Sequence, residues 1–125
     1  MMVWRGVVIE ESLENNDVLR LVKIVDTSEE TLEKEDEKGV LHFHKIELDD
    51  DKRDEFVRKA NSSIKQGWYI HIVNDGTMTV IFRDRTFTFN KYQKDKIDES
   101  RDYGVSIGIL KEQMDFEVLI DDPYA

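Results

Sequence analysis

Trp68-Tyr69-Ile70-His71-Ile72-Val73-Asn74-Asp75-Gly76-Thr77-Met78-Thr79-Val80-Ile81-Phe82-Arg83 is the stretch that decides the fold. Two β-branched, apolar runs flank an Asp-Gly pair. A type I′ turn needs positive φ at both central positions, which Asp tolerates and Gly adopts freely. With Asp75-Gly76 as the loop, Val73 opposes Met78, His71 opposes Val80 and Tyr69 opposes Phe82. A second tight turn expected at Asp84-Arg85 adds a third strand over 86–89, with Phe82 opposite Phe87 and Val80 opposite Phe89.

Opposed residues share a sheet face. One face therefore gathers Tyr69, His71, Val73, Met78, Val80, Phe82, Phe87 and Phe89, the expected core beneath helices. The other gathers Trp68, Ile70, Ile72, Thr79, Ile81, Arg83, Thr86 and Thr88. A one-residue slip would exchange the two sets. An apolar patch such as Trp68, Ile70, Ile72 and Ile81 calls for a cover. The chain's own tail or amino-terminal helix is one candidate. A second copy, making these four residues a homodimer interface, is the other.

Outward from the hairpin, residues 2–10 read as a strand with apolar groups on both faces, suited to a sheet interior. Asn16 or Asp17 can cap a helix over 17–26, because Val18, Leu21, Val22 and Val25 recur at helical spacing. Residues 27–39 read as a charged loop, with room for a short extended start, that holds a single large apolar residue, Leu32. A strand over 40–48 leads through Asp49-Asp50-Asp51 into a helix reaching about Lys65, with Phe56, Val57, Ala60 and Ile64 as its apolar stripe and Gly67 closing it. The strand–helix–strand unit over 40–73 suggests one parallel pair. A further helix over 92–103, ended by Gly104, precedes an apolar tail that should dock on the body. The expected architecture is one α+β domain spanning 1–125: a two-layer sandwich of a mostly antiparallel sheet of about five strands, with two or three helices on one face.

Composition bounds the function. The absence of Cys removes disulfides, thiolate metal sites and cysteine nucleophiles. No run approaches the ~20 apolar residues of a membrane span. The first residues lack a basic segment followed by an apolar one, so the expected location is cytoplasmic. Residues 1–50 carry a net charge of −8, 51–96 carry +4 and 97–125 carry −6, which together make the net −10. Such a layout suits pairing within the chain, between subunits, or with a basic protein partner. It disfavours nucleic acid, whose phosphates demand a dominant basic surface. The basic neighbourhood of Arg83, Arg85, Lys91, Lys94 and Lys96 is interleaved with Phe87, Phe89 and Tyr92. The hairpin register turns both phenylalanines inward, removing the platform on which bases would stack.

The histidines are the one site-like feature. His42 and His44 alternate along a strand and so project from one face, and the register turns His71 toward the core. If their strands are neighbours, the three imidazoles could bind a divalent transition metal. Glu47 follows His44 at a spacing that puts it on the opposite strand face, unlike the cupin metal motif. No other cofactor is implied: the serines lie in no nucleophile elbow and the glycines form no phosphate loop. No catalytic constellation emerges. The sequence thus leaves two leading functions, a self-associating interaction domain using the Trp68 face and a metal- or small-ligand-binding protein using the histidines.

Overall fold

A computed structural model describes residues 2–31 and 39–125. Six strands form one sheet: β1 (Val3–Ile9), β2 (Lys23–Glu30), β3 (Leu41–Asp49), β4 (Ile70–Asn74), β5 (Thr77–Phe82) and β6 (Arg85–Asn90). Their spatial order is β2-β3-β1-β4-β5-β6, and every pair is antiparallel. Three α-helices lie among the described residues: α1 (Arg53–Ser63), α2 (Lys94–Ser106) and α3 (Phe116–Asp121).

The α+β class holds, with one strand more than expected and a different layering. Trp4, Val8, Ile46, Ile70, Ile72 and Ile81 form one core with Phe56 and Ala60 of α1. Val73, Met78, Val80, Phe82 and Phe89 form the other, with Ile97 of α2 and Phe116, Leu119 and Ile120 of α3. Helices therefore cover both faces, and the sheet is the middle of three layers. The reason is visible in β4 and β5, whose residues are almost all buried irrespective of parity.

The hairpin forms as read. Val73 pairs with Met78 and His71 with Val80, and Asp75 and Gly76 hold φ of 47° and 78°. The next turn lies one residue earlier than expected, at Arg83-Asp84, so Phe82 pairs with Arg85, Val80 with Phe87 and Met78 with Phe89. Asp84 supplies the left-handed residue at φ 61°. Asn61 at the end of α1 clamps this turn: its carbonyl accepts from Asp84 N–H at 3.1 Å and its Nδ2 donates to the Phe82 carbonyl at 2.9 Å. Pairing moves by two residues, an even number, so every side chain keeps its face.

Several other expectations are corrected. The helix expected over 17–26 is a single 3-10 turn, Asp17–Leu21, running into β2. The β-branched Ile24, Val25 and Thr27 favour the extended chain once β3 offers a ladder. The parallel pair does not form, because β1 is inserted between β3 and β4, which run in the same direction on either side of it. Gly104 lies inside α2 instead of ending it, since a side chain there would collide with Met114. The helix read from Asp49 begins with a 3-10 turn over Asp50–Lys52 and stops at Ser63, where Ile64 turns extended and bridges to Leu13. The outer part of the charged loop, 32–38, lies outside the described residues; 27–30 belong to β2.

Candidate functional site

Alternation along β3 separates two environments. His42, His44, Ile46 and Leu48 face the α1 side, as Ile46 and Leu48 in that core show. Phe43 and Lys45 face the opposite side. Because β1 pairs Val8 with His44 but Val7 with His71, His71 lies across the sheet from the other two histidines. The three imidazoles do not converge. The expectation failed because it assumed one inward face, and this sheet has two.

His71 sits beneath the carboxyl-terminal segment. It is 5 % exposed, and its Nε2–H donates to the Pro123 carbonyl at 2.8 Å. Burial disfavours the imidazolium and pushes its pKa below the ordinary value, the Pro123 carbonyl opposing only in part.

His42 and His44 meet a group that the sequence reading omitted. The chain leaves β1 in a 3-10 turn over Glu10–Ser12, closed by the Leu13 N–H to the Glu10 carbonyl at 3.1 Å and by Ser12 Oγ–H to the Ile9 carbonyl at 2.6 Å. In a continued strand Glu10 and Glu11 would point to opposite faces. In the turn both carboxylates swing to β3. Glu11 accepts from the His42 backbone N–H and from its ring Nδ1–H, each at 2.7 Å. Glu29, the cross-strand partner of His42, approaches Nε2 at 3.3 Å. Glu10 Oε1 lies 3.1 Å from His44 Nε2, whose other nitrogen meets the Thr27 hydroxyl at 2.8 Å. An ionised carboxylate only accepts, so Nε2–H donates to Glu10 and Nδ1 is left to accept from Thr27.

Donor atoms of Glu10, Glu11 and His42 lie within 4.8 Å of one another. The hydrogen bond to Glu11 raises the His42 pKa, with Glu29 and Glu10 adding to it. Burial alone would raise the Glu11 carboxyl, but the bonds from His42 outweigh it and the net shift is downward. His44, 7 % exposed, stands one carboxylate behind this trio and orients Glu10. The signal available in the sequence was Glu10-Glu11-Ser12 directly after an apolar strand, where a Ser can close a turn.

The other predicted residues are placed differently. Ile70, Ile72 and Ile81 are fully buried beneath α1, and Trp68 packs half-buried at that core's edge. The face expected to receive a second copy is thus covered by the chain itself, by α1 and the Val18 turn, not by the tail. Three of the five cations in the basic neighbourhood are paired within the chain: Arg83 with Glu14 at 2.9 Å, Arg85 with Glu99 at 3.6 Å and Lys91 with Asp121 at 3.7 Å. Of the aromatics interleaved with it, Phe89 is buried, Phe87 is half-buried and Tyr92 is exposed. No described helix is long and apolar enough to cross a membrane. No protein-family model matches the chain, and neither a curated protein nor a solved structure matches it.

Proposed function

We propose that this protein binds a divalent transition metal through Glu10, Glu11 and His42, with His44 and Thr27 as the hydrogen-bonded support of Glu10. The observation that carries the reading is the convergence of two carboxylates and one imidazole to within 4.8 Å. Two hard oxygens with one borderline nitrogen suit manganese, iron, cobalt, nickel or zinc, and three protein ligands leave positions open to water or a small ligand. The Thr27–His44–Glu10 chain resembles the outer hydrogen bonds that fix ligands in metal sites. When protonated, His42 neutralises part of the local negative charge, and a metal ion would take over that role.

Calorimetric titration of tag-free protein with zinc, nickel and manganese salts tests this. One equivalent should bind more tightly than about 1 mM. The affinity should be lost in His42→Ala and Glu11→Gln and kept in Glu55→Gln, which removes the same charge from α1. Binding weaker than that, or equal losses in all three variants, would reduce the cluster to a plain ion pair in an acidic surface.

A further inference from the structure

The opposite side of β1 and β3 carries a separate feature that the metal reading does not use. α2 and α3 cover this face over β4–β6. Over β1 and β3 they leave a groove of about 520 Å³ between the sheet and the carboxyl-terminal segment. That size lies within the range of small-molecule sites. Val7, Ile9 and Phe43 form its floor, and Trp68 and Leu119 stand in its wall. The segment that closes it is tied down at two points. His71 donates to the Pro123 carbonyl, and the Tyr124 hydroxyl donates to the Ile46 carbonyl at 2.9 Å. The groove is therefore a built concavity.

Its polar groups are few and unequal. Lys45 lines it with its ammonium 5.9 Å from the centre of the Tyr124 ring, and no carboxylate among the described residues pairs with it. Gln113 also lines it, and its buried Nε2 has no hydrogen-bond partner. Of the two, only Lys45 presents a donor to the groove, since the Gln113 Nε2 is shut away from solvent. Glu30, held by the Ser28 hydroxyl at 3.3 Å, lines the groove beside Leu41. Leu41 is four residues from Lys45, or about 13 Å along an extended strand. One end is thus cationic, the other anionic, with an apolar floor between them.

We infer that this groove binds a small monocarboxylic acid with a flat apolar body, its carboxylate at Lys45 and its body over Val7, Ile9 and Phe43. Glu30 at the far end would repel a second acidic group, so a dicarboxylate of the same body binds less well. This site stands on the other side of the sheet from Glu10, Glu11 and His42, and neither proposal depends on the other.

Two-dimensional amide NMR of the full chain, titrated with 2-naphthylacetate, 2-(2-naphthyl)ethanol and 2,6-naphthalenedicarboxylate, tests it. The monoacid should saturate below about 1 mM and shift amides of residues 7–9, 43–45 and 124. Lys45→Gln, a substitution on a half-exposed side chain, should weaken the monoacid about tenfold and leave the alcohol unchanged, the loss expected for one charge-assisted hydrogen bond. Shifts dispersed over the surface, or no saturation in that range, would overturn the site. Equal affinity for acid and alcohol, an unaltered Lys45→Gln titration, or a dicarboxylate that binds as well as the monoacid would overturn the ligand class.

Discussion

The two faces of the sheet are built from different materials. Under α1 the core is mainly aliphatic, with Val8, Ile46, Ile70, Ile72 and Ile81 around Phe56 and with Trp4 as the other buried ring. Under α2 and α3 it is aromatic: Tyr69 meets Phe116 edge-on at 5.5 Å, Phe82 meets Phe87 at 5.9 Å and Tyr103 at 5.1 Å, and Phe89 meets Phe116 at 5.9 Å. The aliphatic side is closed over the inner strands β1, β3, β4 and β5 and open at the two edges of the sheet, where Ile24, Thr86 and Thr88 are exposed, with His42 and its carboxylates at the rim. The aromatic side is closed over only half of the sheet, and a buried histidine and a groove lie where the cover runs out. Polar chemistry on each side collects where the helices stop.

The largest test of this contrast compares the two phenylalanines at the centre of each core, both fully buried. Phe56→Ala and Phe116→Ala should each cost about 3–5 kcal/mol in denaturant unfolding, the usual result of emptying a ring-sized site. Leu at each position separates the materials. Phe56 makes no ring–ring contact among the described residues, so Phe56→Leu should cost less than about 1.5 kcal/mol. Phe116→Leu loses the contacts to Tyr69 and Phe89 and should cost about 0.5–1.5 kcal/mol more for each. Equal costs for the two leucine variants would mean that the aromatic geometry contributes nothing beyond area.

The histidines give the contrast opposite signs in pH. His71 has its folded pKa below the unfolded value, so the unfolded chain binds more protons in the window beneath about pH 6.5. Its contribution to stability is present above that value and is lost as pH falls toward the folded pKa. His42 is shifted upward, so its contribution is present below about pH 6.5 and is lost as pH rises through the folded pKa. Ring-proton NMR of metal-free protein should show His42 titrating above the ordinary value and His71 below it. Glu11→Gln should bring His42 down without moving His71. A common midpoint for both rings would erase the distinction between rim and interior.

Much of this was legible in the sequence, and the failures share a cause. Asp75-Gly76 specified its turn because the constraint is local: two positive φ values at two adjacent residues. The sorting of Ile72 from Val73 followed from parity alone. What periodicity could not give was which strands are neighbours, since β1 inserts between β3 and β4 from more than 30 residues away in sequence. The gathering of His71 with His42 and His44 was conditional on neighbouring strands and one inward face, and the inserted β1 and the second face remove both conditions. The apolar spacing of Val18, Leu21, Val22 and Val25 matches a helix, yet Val25 is 42 % exposed as a strand residue, because the ladder to β3 outweighs the stripe. Glu10 and Glu11 escape the periodicity because the strand expected to end at Glu10 ends at Ile9, in a turn whose geometry alone swings both carboxylates to β3.

A smaller effect examines the rim itself. Thr27 reaches His44 from the edge strand β2, and His44 is nearly buried. Thr27→Val keeps the β-branched shape and removes the hydroxyl, leaving His44 Nδ1 without its donor. The expected cost is about 1 kcal/mol, the usual net value of one such hydrogen bond. If His44 steers Glu10, the same substitution should also weaken zinc binding while leaving the His71 titration untouched. A variant that loses stability but keeps its metal affinity would make Thr27 and His44 mere packing at the end of the aliphatic core.

The smallest effect concerns the strand that carries Thr27. Ile24 and Val25 are 43 % and 42 % exposed, and the ladder shifts register between Ile24 and Asp26, leaving Val25 at the irregularity. Burial therefore contributes little to holding β2, and its order rests on backbone bonds to β3. Val25→Thr preserves strand preference and removes apolar surface, so unfolding should change by less than about 0.5 kcal/mol. The same substitution at Val8, fully buried on the aliphatic face, places a hydroxyl in a dry core and should cost about 1–3 kcal/mol. Comparable losses at the two positions would show that Val25 is covered in solution, and the edge of the sheet beside the His–Glu cluster would then be a contact surface after all.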